Sequence, residues 1–117
     1  MIDYNPAAQL ARGLHSALSS DPILSMTLGD PPRLYDFAPD DPVFPYLTYG
    51  TLRSHDVSGD GAPLTAHTVT LHVWSRYSGR SEVLSLINTV RHIIKKADIS
   101  SPKMRVINAN VTYTDVF

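Results

Sequence analysis

The chain has 117 residues, enough for one compact domain with its own core and too few for two. Hydrophobic residues make up 43% and charged residues 18%, and the formal net charge of -1 offers no strong field for nucleic acid or an anionic membrane. The absence of cysteine excludes disulfides, thiol catalysis and thiolate metal sites. We find neither a membrane-helix run of ~18 apolar residues nor a signal-peptide pattern. We expect one soluble domain over residues 1–117.

The first predicted element is an amphipathic helix over residues 6–19. Asn5 suits its N-cap position, and Pro6 loses nothing at the first helical position, where an N–H has no intrahelical partner. The stretch from Ser19 to Pro22 ends the helix. Apolar residues recur along it at helical spacing, at Ala7, Leu10, Ala11, Leu14, Ala17 and Leu18.

Three strands are predicted to follow one another, over residues 33–37, 46–52 and 65–75. The third is the clearest, because apolar and polar side chains alternate along it. Its aliphatic face carries Val69, Leu71 and Val73, and its other face carries Thr68, Thr70, His72 and Trp74. We expect the aliphatic face to lie under the helices and the other face to meet water or a partner.

The segment between the second and third strands is predicted to be a flexible hairpin arm at about residues 53–63. It includes the stretch of residues 58–63, where Gly59, Gly61 and Pro63 disfavour regular structure. We interpret the hairpin arm as a segment that orders against a neighbouring protein. The alternative interpretation is an idle hairpin tip.

A second helix is predicted over residues 81–96, with Ser81 as its cap, and a last strand over residues 105–113. The buried stripe of this helix is expected to be Val83, Leu86, Ile87, Val90 and Ile94. The order α-β-β-β-α-β predicts an α+β fold with a mixed, largely antiparallel sheet of about four strands and two helices packed on one face.

Three short motifs in the middle of the chain occur in a fixed order. They are Leu34-Tyr35-Asp36, then Pro45-Tyr46-Leu47-Thr48-Tyr49-Gly50, then Val73-Trp74-Ser75-Arg76 leading through Gly79 into a helix. In this order, and in a chain of this length, they resemble the tail-completion, or tail-terminator, proteins of long-tailed phages and gene transfer agents. With the two predicted helices, the resemblance spans nearly the whole chain.

The resemblance implies a subunit of a homohexameric ring that caps the tail tube, ends its elongation and joins the tail to the head or neck. Its implied partners are further copies of the chain, the major tail tube protein and the head/neck connector (stopper) protein, with no sequence-specific nucleic acid contact and no membrane. The implied location is the virion or a phage-like particle, assembled in the host bacterial cytoplasm. Many relatives continue past residues 111–117 into a further strand, so either this member lacks that strand or the sequence is shortened. If the strand is missing, the strand at residues 105–113 has an open edge, ready to pair with a neighbour.

A ring subunit needs two different surfaces that complement each other between neighbours. The candidates are the hairpin arm, the turn before the second helix and four aromatic side chains, Trp74, Tyr46, Tyr49 and Tyr77, since Tyr, Trp and Arg are enriched at interfaces. The alternative is that the aromatic rings pack within the domain and that the charges are simply solvated. The protein-interface candidates are Arg53, His55, Asp56, Asp60, Trp74, Arg76, Tyr77 and Arg80.

Patterns typical of metal sites or catalysis are weak in this sequence. The five histidines show no ligand spacing, and His67 and His72 are predicted to point to opposite faces of one strand. Asp36, Asp40 and Asp41 lie beside prolines, which favours turn formation over acid–base chemistry. We expect no catalytic residue, metal site or cofactor, and therefore no enzyme.

Three alternative functions remain open from the sequence. One is another head–tail joining subunit, such as a neck or stopper protein. Another is a small ligand-binding or hydrolytic domain that uses Asp36, Asp41 and His55 around an apolar pocket. The last is a monomeric adaptor that binds a peptide by strand addition at an open sheet edge.

Overall fold

The computed structural model describes residues 6–59, 61, 63–76 and 79–97. Within these residues the chain forms three helices and a mixed three-stranded sheet. The strand order is β1-β2-β3, with β1 parallel to β2 and β2 antiparallel to β3. The elements are α1 (Pro6–Ser19), α2 (Pro22–Leu28), β1 (Leu34–Tyr35), β2 (Tyr46–Asp56), β3 (Thr65–Trp74) and α3 (Ser81–Lys96). The predicted α+β class and mixed sheet are confirmed.

The prediction of two helices is wrong, because the segment after α1 forms a third, the short helix α2. Asp21 is its N-cap, and its carboxylate Oδ1 accepts a hydrogen bond from the Leu24 N–H at 2.9 Å. Pro22 occupies the first turn, where its missing N–H costs nothing. Gly29 ends the helix at a φ of 90°, a conformation that favours glycine. The Asp-Pro pair that ends α1 therefore also begins α2.

The bounds of α1 and α3 match their predictions, whereas the strand bounds differ. β1 is shorter than predicted, β2 continues past Leu52 to Asp56, and β3 ends at Trp74. The predicted cap of α3 is wrong, because Arg80 occupies the N-cap position without a side-chain hydrogen bond. Asn5 and the predicted fourth strand, residues 105–113, lie outside the described residues. In the part of the chain that the structure describes, none of the helices combines the length and hydrophobicity needed to cross a bilayer.

The core lies between the three helices and one face of the sheet. Leu18 of α1, Leu24 and Leu28 of α2 and Leu47 of β2 are its fully buried large side chains. Leu86, Val90 and Ile93 of α3 complete the buried cluster, against which Val69, Leu71 and Val73 of β3 pack. The aliphatic face of β3 therefore lies under the helices, as predicted. Ile93, rather than Ile94, is the buried isoleucine of the last turns of α3.

A β-bulge in β2 keeps its apolar residues on the core face. Gly50 and Thr51 together stand opposite Thr70, because the pairing shifts by one residue between the flanking pairs. A Cβ on Gly50 would lie 2.9 Å from the His72 Nε2 and 3.1 Å from the Thr70 carbonyl oxygen, so a side chain has no room there. The extra residue returns Leu52 to the face that carries the core.

Leu47→Ala tests whether one leucine of the sheet holds the helices in place. Leu47 is fully buried, so we expect the variant to lose about 2–5 kcal/mol of unfolding free energy, measured by urea denaturation. Leu52→Ala is the matched control, because Leu52 lies on the same face of the same strand but is 37% exposed. An equal loss in both variants would contradict this description of the core.

Candidate interaction site

An aromatic cluster, Tyr35, Phe44, Tyr46 and Trp74, lies at one end of the sheet face opposite the helices, here called the outer face. Tyr46 and Trp74 are cross-strand partners whose rings stack with centroids 6.1 Å apart and planes inclined by 16°. The rings of Phe44 and Tyr35 lie 5.0 Å and 6.0 Å from that of Tyr46. The strand register therefore gathers aromatic side chains from β1, β2 and β3 at one place.

Trp74 is held in position while much of its indole stays exposed. Its Nε1 donates a hydrogen bond to the Thr48 Oγ1 at 3.0 Å, and 47% of the residue remains exposed. Tyr46 beneath it is only 7% exposed. Since the indole N–H already has an acceptor, a partner that covers Trp74 buries apolar area without leaving a donor unpaired. This combination is typical of an interface residue rather than a core residue.

Charged side chains border the aromatic cluster at the turn before α3. The guanidinium carbon of Arg76 lies 4.2 Å from the centre of the Phe44 ring, a cation–π contact. Glu82 accepts a hydrogen bond from the Ser75 hydroxyl at 2.6 Å, which fixes the start of α3 against the end of β3. Arg80 is exposed at the N-cap of α3. Tyr77, another interface candidate, lies outside the described residues.

The hairpin arm begins as regular antiparallel sheet. The ladder of β2 and β3 continues to the Asp56–Thr65 pair, and the Val57 N–H donates to the Leu64 carbonyl at 2.9 Å beyond it. Every described residue of the hairpin arm is exposed, Val57 included at 48%. A two-stranded ribbon without a packed face is marginally stable alone, so the hairpin arm is suited to gain contacts from a partner.

Hydrogen bonds close the ladder at the hairpin arm. The Asp56 carboxylate accepts bonds from both the hydroxyl and the N–H of Ser58, and the Ser58 hydroxyl accepts from the Leu64 N–H at 2.8 Å. The two Ser58 bonds, the hydroxyl bond first, lower the pKa of Asp56 because they stabilise its charged form. Asp56 therefore acts first as a local hydrogen-bond acceptor.

The sequence-predicted interface residues divide between the two faces of the sheet. Arg53 and His55 lie on the outer face, the same face as Trp74. Their partners on β3, Thr68 and Ala66, are an even number of residues from Trp74, and such residues of a strand share one face. Asp56 points to the opposite face. Asp60 lies outside the described residues. The outer face therefore carries the aromatic cluster at one end and the basic side chains of the hairpin arm at the other.

The residues proposed for a hydrolytic site are not brought together. Asp36 and Asp41 lie in the loop that precedes β2, whereas His55 lies nine residues beyond Tyr46, roughly 30 Å along the strand. The His67 Nδ1 is hydrogen-bonded to the Ser54 hydroxyl at 2.6 Å. Among the described residues, no group of three or more His, Cys, Asp and Glu side chains is arranged to hold a metal ion.

Comparison with known protein families identifies the family of this chain. The family model for tail completion protein gp17 matches residues 12–117 and so begins in the middle of α1. The chain belongs to this family. Membership confirms the resemblance carried by the three motifs and assigns the chain a structural role in a phage tail, as a virion component. No curated protein and no solved structure matches the chain.

Sequence reasoning missed half of the aromatic cluster of this tail protein. Tyr35 and Phe44 were not interface candidates, because their proximity to Trp74 depends on the parallel pairing of β1 and on the course of the loop before β2. The regular spacing of Phe44, Tyr46 and Thr48 was the available signal, since alternate residues of a strand share one face.

Tyr49 faces the helices instead of the outer face. Its hydroxyl is hydrogen-bonded to the His15 Nδ1 at 2.8 Å, which ties β2 to α1. Burial raises the pKa of Tyr49 to about 12, and the negative charge of Asp36 adds to the rise. The neutral phenol is therefore part of the folded structure, and its ionisation opposes folding.

Tyr49→Phe tests this coupling between ionisation and stability. The folded protein holds the phenolic proton to a pKa of about 12, above the ordinary value of 10.0. The stabilisation from the neutral phenol is therefore present below pH 10 and lost as the pH rises towards 12. We expect the difference in unfolding free energy between the wild type and Tyr49→Phe to shrink across this window, measured by urea denaturation at several pH values. A difference independent of pH would contradict the assignment.

Proposed function

We propose that the chain is the subunit of a homohexameric ring that caps the tail tube, ends its elongation and joins the tail to the head or neck. Membership of the tail completion family supplies the tail role. The observation that carries the finer proposal is the exposed outer face, with an anchored aromatic cluster at one end and a projecting hairpin arm at the other. These are features of a subunit whose surface is completed by other proteins.

The outer face and the hairpin arm are the surfaces that we assign to the tail tube. Trp74 offers an aromatic anchor with its polar atom already bonded, and Arg53 and His55 add polar contacts on the same face. The hairpin arm offers exposed apolar side chains, Val57 and Leu64, at 48% and 40% exposure. An apolar anchor surrounded by polar groups is the usual anatomy of a protein interface.

The mass of the purified protein, measured by light scattering at several concentrations with and without the tail tube protein, tests the proposal. We expect the mass of six copies for the chain alone, or a complex that contains six copies once the tube protein is added. A monomer that ignores the tube protein would overturn the proposal. A chain that binds only the head/neck connector protein would overturn tube capping and favour the neck or stopper function instead.

Deletion of residues 58–62 tests the role of the hairpin arm. The described part of this segment is exposed and lies beyond the Asp56–Thr65 pair, so we expect a folded subunit with a normal circular dichroism spectrum. Binding to the tube protein should weaken, and tails completed with the variant should show abnormal lengths by electron microscopy. Leu84→Ala, a change at an exposed residue on α3, is the control that should leave both unchanged. Normal tails from the deletion variant would contradict this role.

A further inference from the structure

We infer that neighbouring copies of the chain contact each other by seating Phe37 and its acidic loop in a groove at the C-terminal end of α3. The inference rests on the proposed ring and names the two surfaces that close it. Each copy carries both surfaces, so the contact is head-to-tail and can continue from copy to copy around a ring.

The first surface is the acidic loop, residues 36–45, between β1 and β2. It contains Asp36, Asp40 and Asp41 and no lysine or arginine. Phe37 at its start is 92% exposed and Val43 is 62% exposed. Burial of these two side chains against another surface would remove a large apolar area from water, which favours association.

Arg33 anchors the end of the acidic loop next to β2. Its Nε donates to the Pro45 carbonyl at 3.0 Å, and its Nη2 donates to the Thr27 carbonyl at 3.4 Å. These bonds connect the last turn of α2 to the end of the loop. The parallel pairing of β1 with β2 holds the other end of the loop, next to Phe37. A loop held at both ends has less entropy to lose on binding.

The second surface is a groove of about 480 Å³ between α3 and the junction of α1 with α2. Apolar side chains line much of it, among them Ala17, Ile23 and Ile93. Two charged residues also line it: Lys96, and Asp21, whose carboxylate accepts the capping hydrogen bond from the Leu24 N–H. Lys95 and Lys96 are both exposed in the last turn of α3. The groove therefore combines an apolar wall with two lysines at the end of α3, one in its lining and one beside it.

The two surfaces complement each other in shape and charge. The groove is large enough for an aromatic ring, and burial of the ring supplies the apolar part of the contact. The carboxylates of Asp40 and Asp41 meet the ammonium groups of Lys95 and Lys96, which orients the contact and disfavours loop-to-loop or groove-to-groove pairing.

The topology favours a contact between copies over a contact within one copy. The acidic loop leads into Tyr46, which pairs with Trp74, and the chain then enters α3 at Ser81. The groove is lined by residues of α3 from Asn88 onward. At 1.5 Å of rise per residue, the groove begins roughly 10 Å along α3 and extends away from the loop.

Charge reversal on each surface, followed by mixing, tests the inference. One variant carries Asp40→Lys and Asp41→Lys, and the other carries Lys95→Glu and Lys96→Glu. Each variant alone places like charges across every contact, so the concentration for half-assembly should rise roughly tenfold or more. An equimolar mixture should restore rings, because alternating copies pair each loop with a groove of opposite charge. Asp30→Lys, outside the acidic loop, is the control and should assemble as the wild type does.

The outcomes separate this inference from the proposed ring. Wild-type rings, with failure of each variant alone and recovery in the mixture, support both. Wild-type rings with unimpaired variants, or with a mixture that does not recover although both variants give folded circular dichroism spectra, overturn the inference and leave the ring standing. A wild type that forms no ring, even with tail tube protein, overturns the proposed function, and the inference falls with it.

Discussion

The packing of three helices onto a single face of a three-stranded sheet is the constraint on which the described structure depends. Leu47 of β2 is fully buried beneath leucines from α1 and α2, and β3 adds its aliphatic residues to the same layer. A sheet covered on one side commonly leaves its other side solvated. Here that outer side carries stacked aromatic rings, and it is the side that we propose as the contact surface for another protein.

The bulge at Gly50 and the hairpin arm follow from the same constraint. The extra residue in β2 lets the strand turn Leu52 towards the core layer while the ladder continues to Asp56. Towards the hairpin arm, β2 carries only exposed residues from Gly50 onward, and every described residue of the hairpin arm itself is exposed. The same pair of strands therefore packs against the helices at one end and forms the hairpin arm at the other.

Much of this arrangement was predictable from sequence because it depends on local periodicity. The bounds of α1 and α3 and the two faces of β3 follow from apolar spacing alone. Helix α2 was missed because Asp21-Pro22 signals the end of one helix and the beginning of the next with the same residues. The extension of β2 was missed because the bulge interrupts the alternation after Tyr49. The aromatic cluster was half predicted. Tyr35 joins it through the parallel pairing of β1 and Phe44 through the course of the loop before β2, and periodicity specifies neither.

Fluorescence from Trp74 tests the central claim most directly, because it is the single tryptophan of the chain and lies on the outer face. The measurement is its emission maximum and acrylamide quenching, before and after addition of assembled tail tube protein free of tryptophan. A partner that covers the outer face should shift the emission to shorter wavelength and protect the indole from quenching. Unchanged emission and quenching, in a sample where the two proteins sediment together, would contradict the assignment of the outer face as the docking surface.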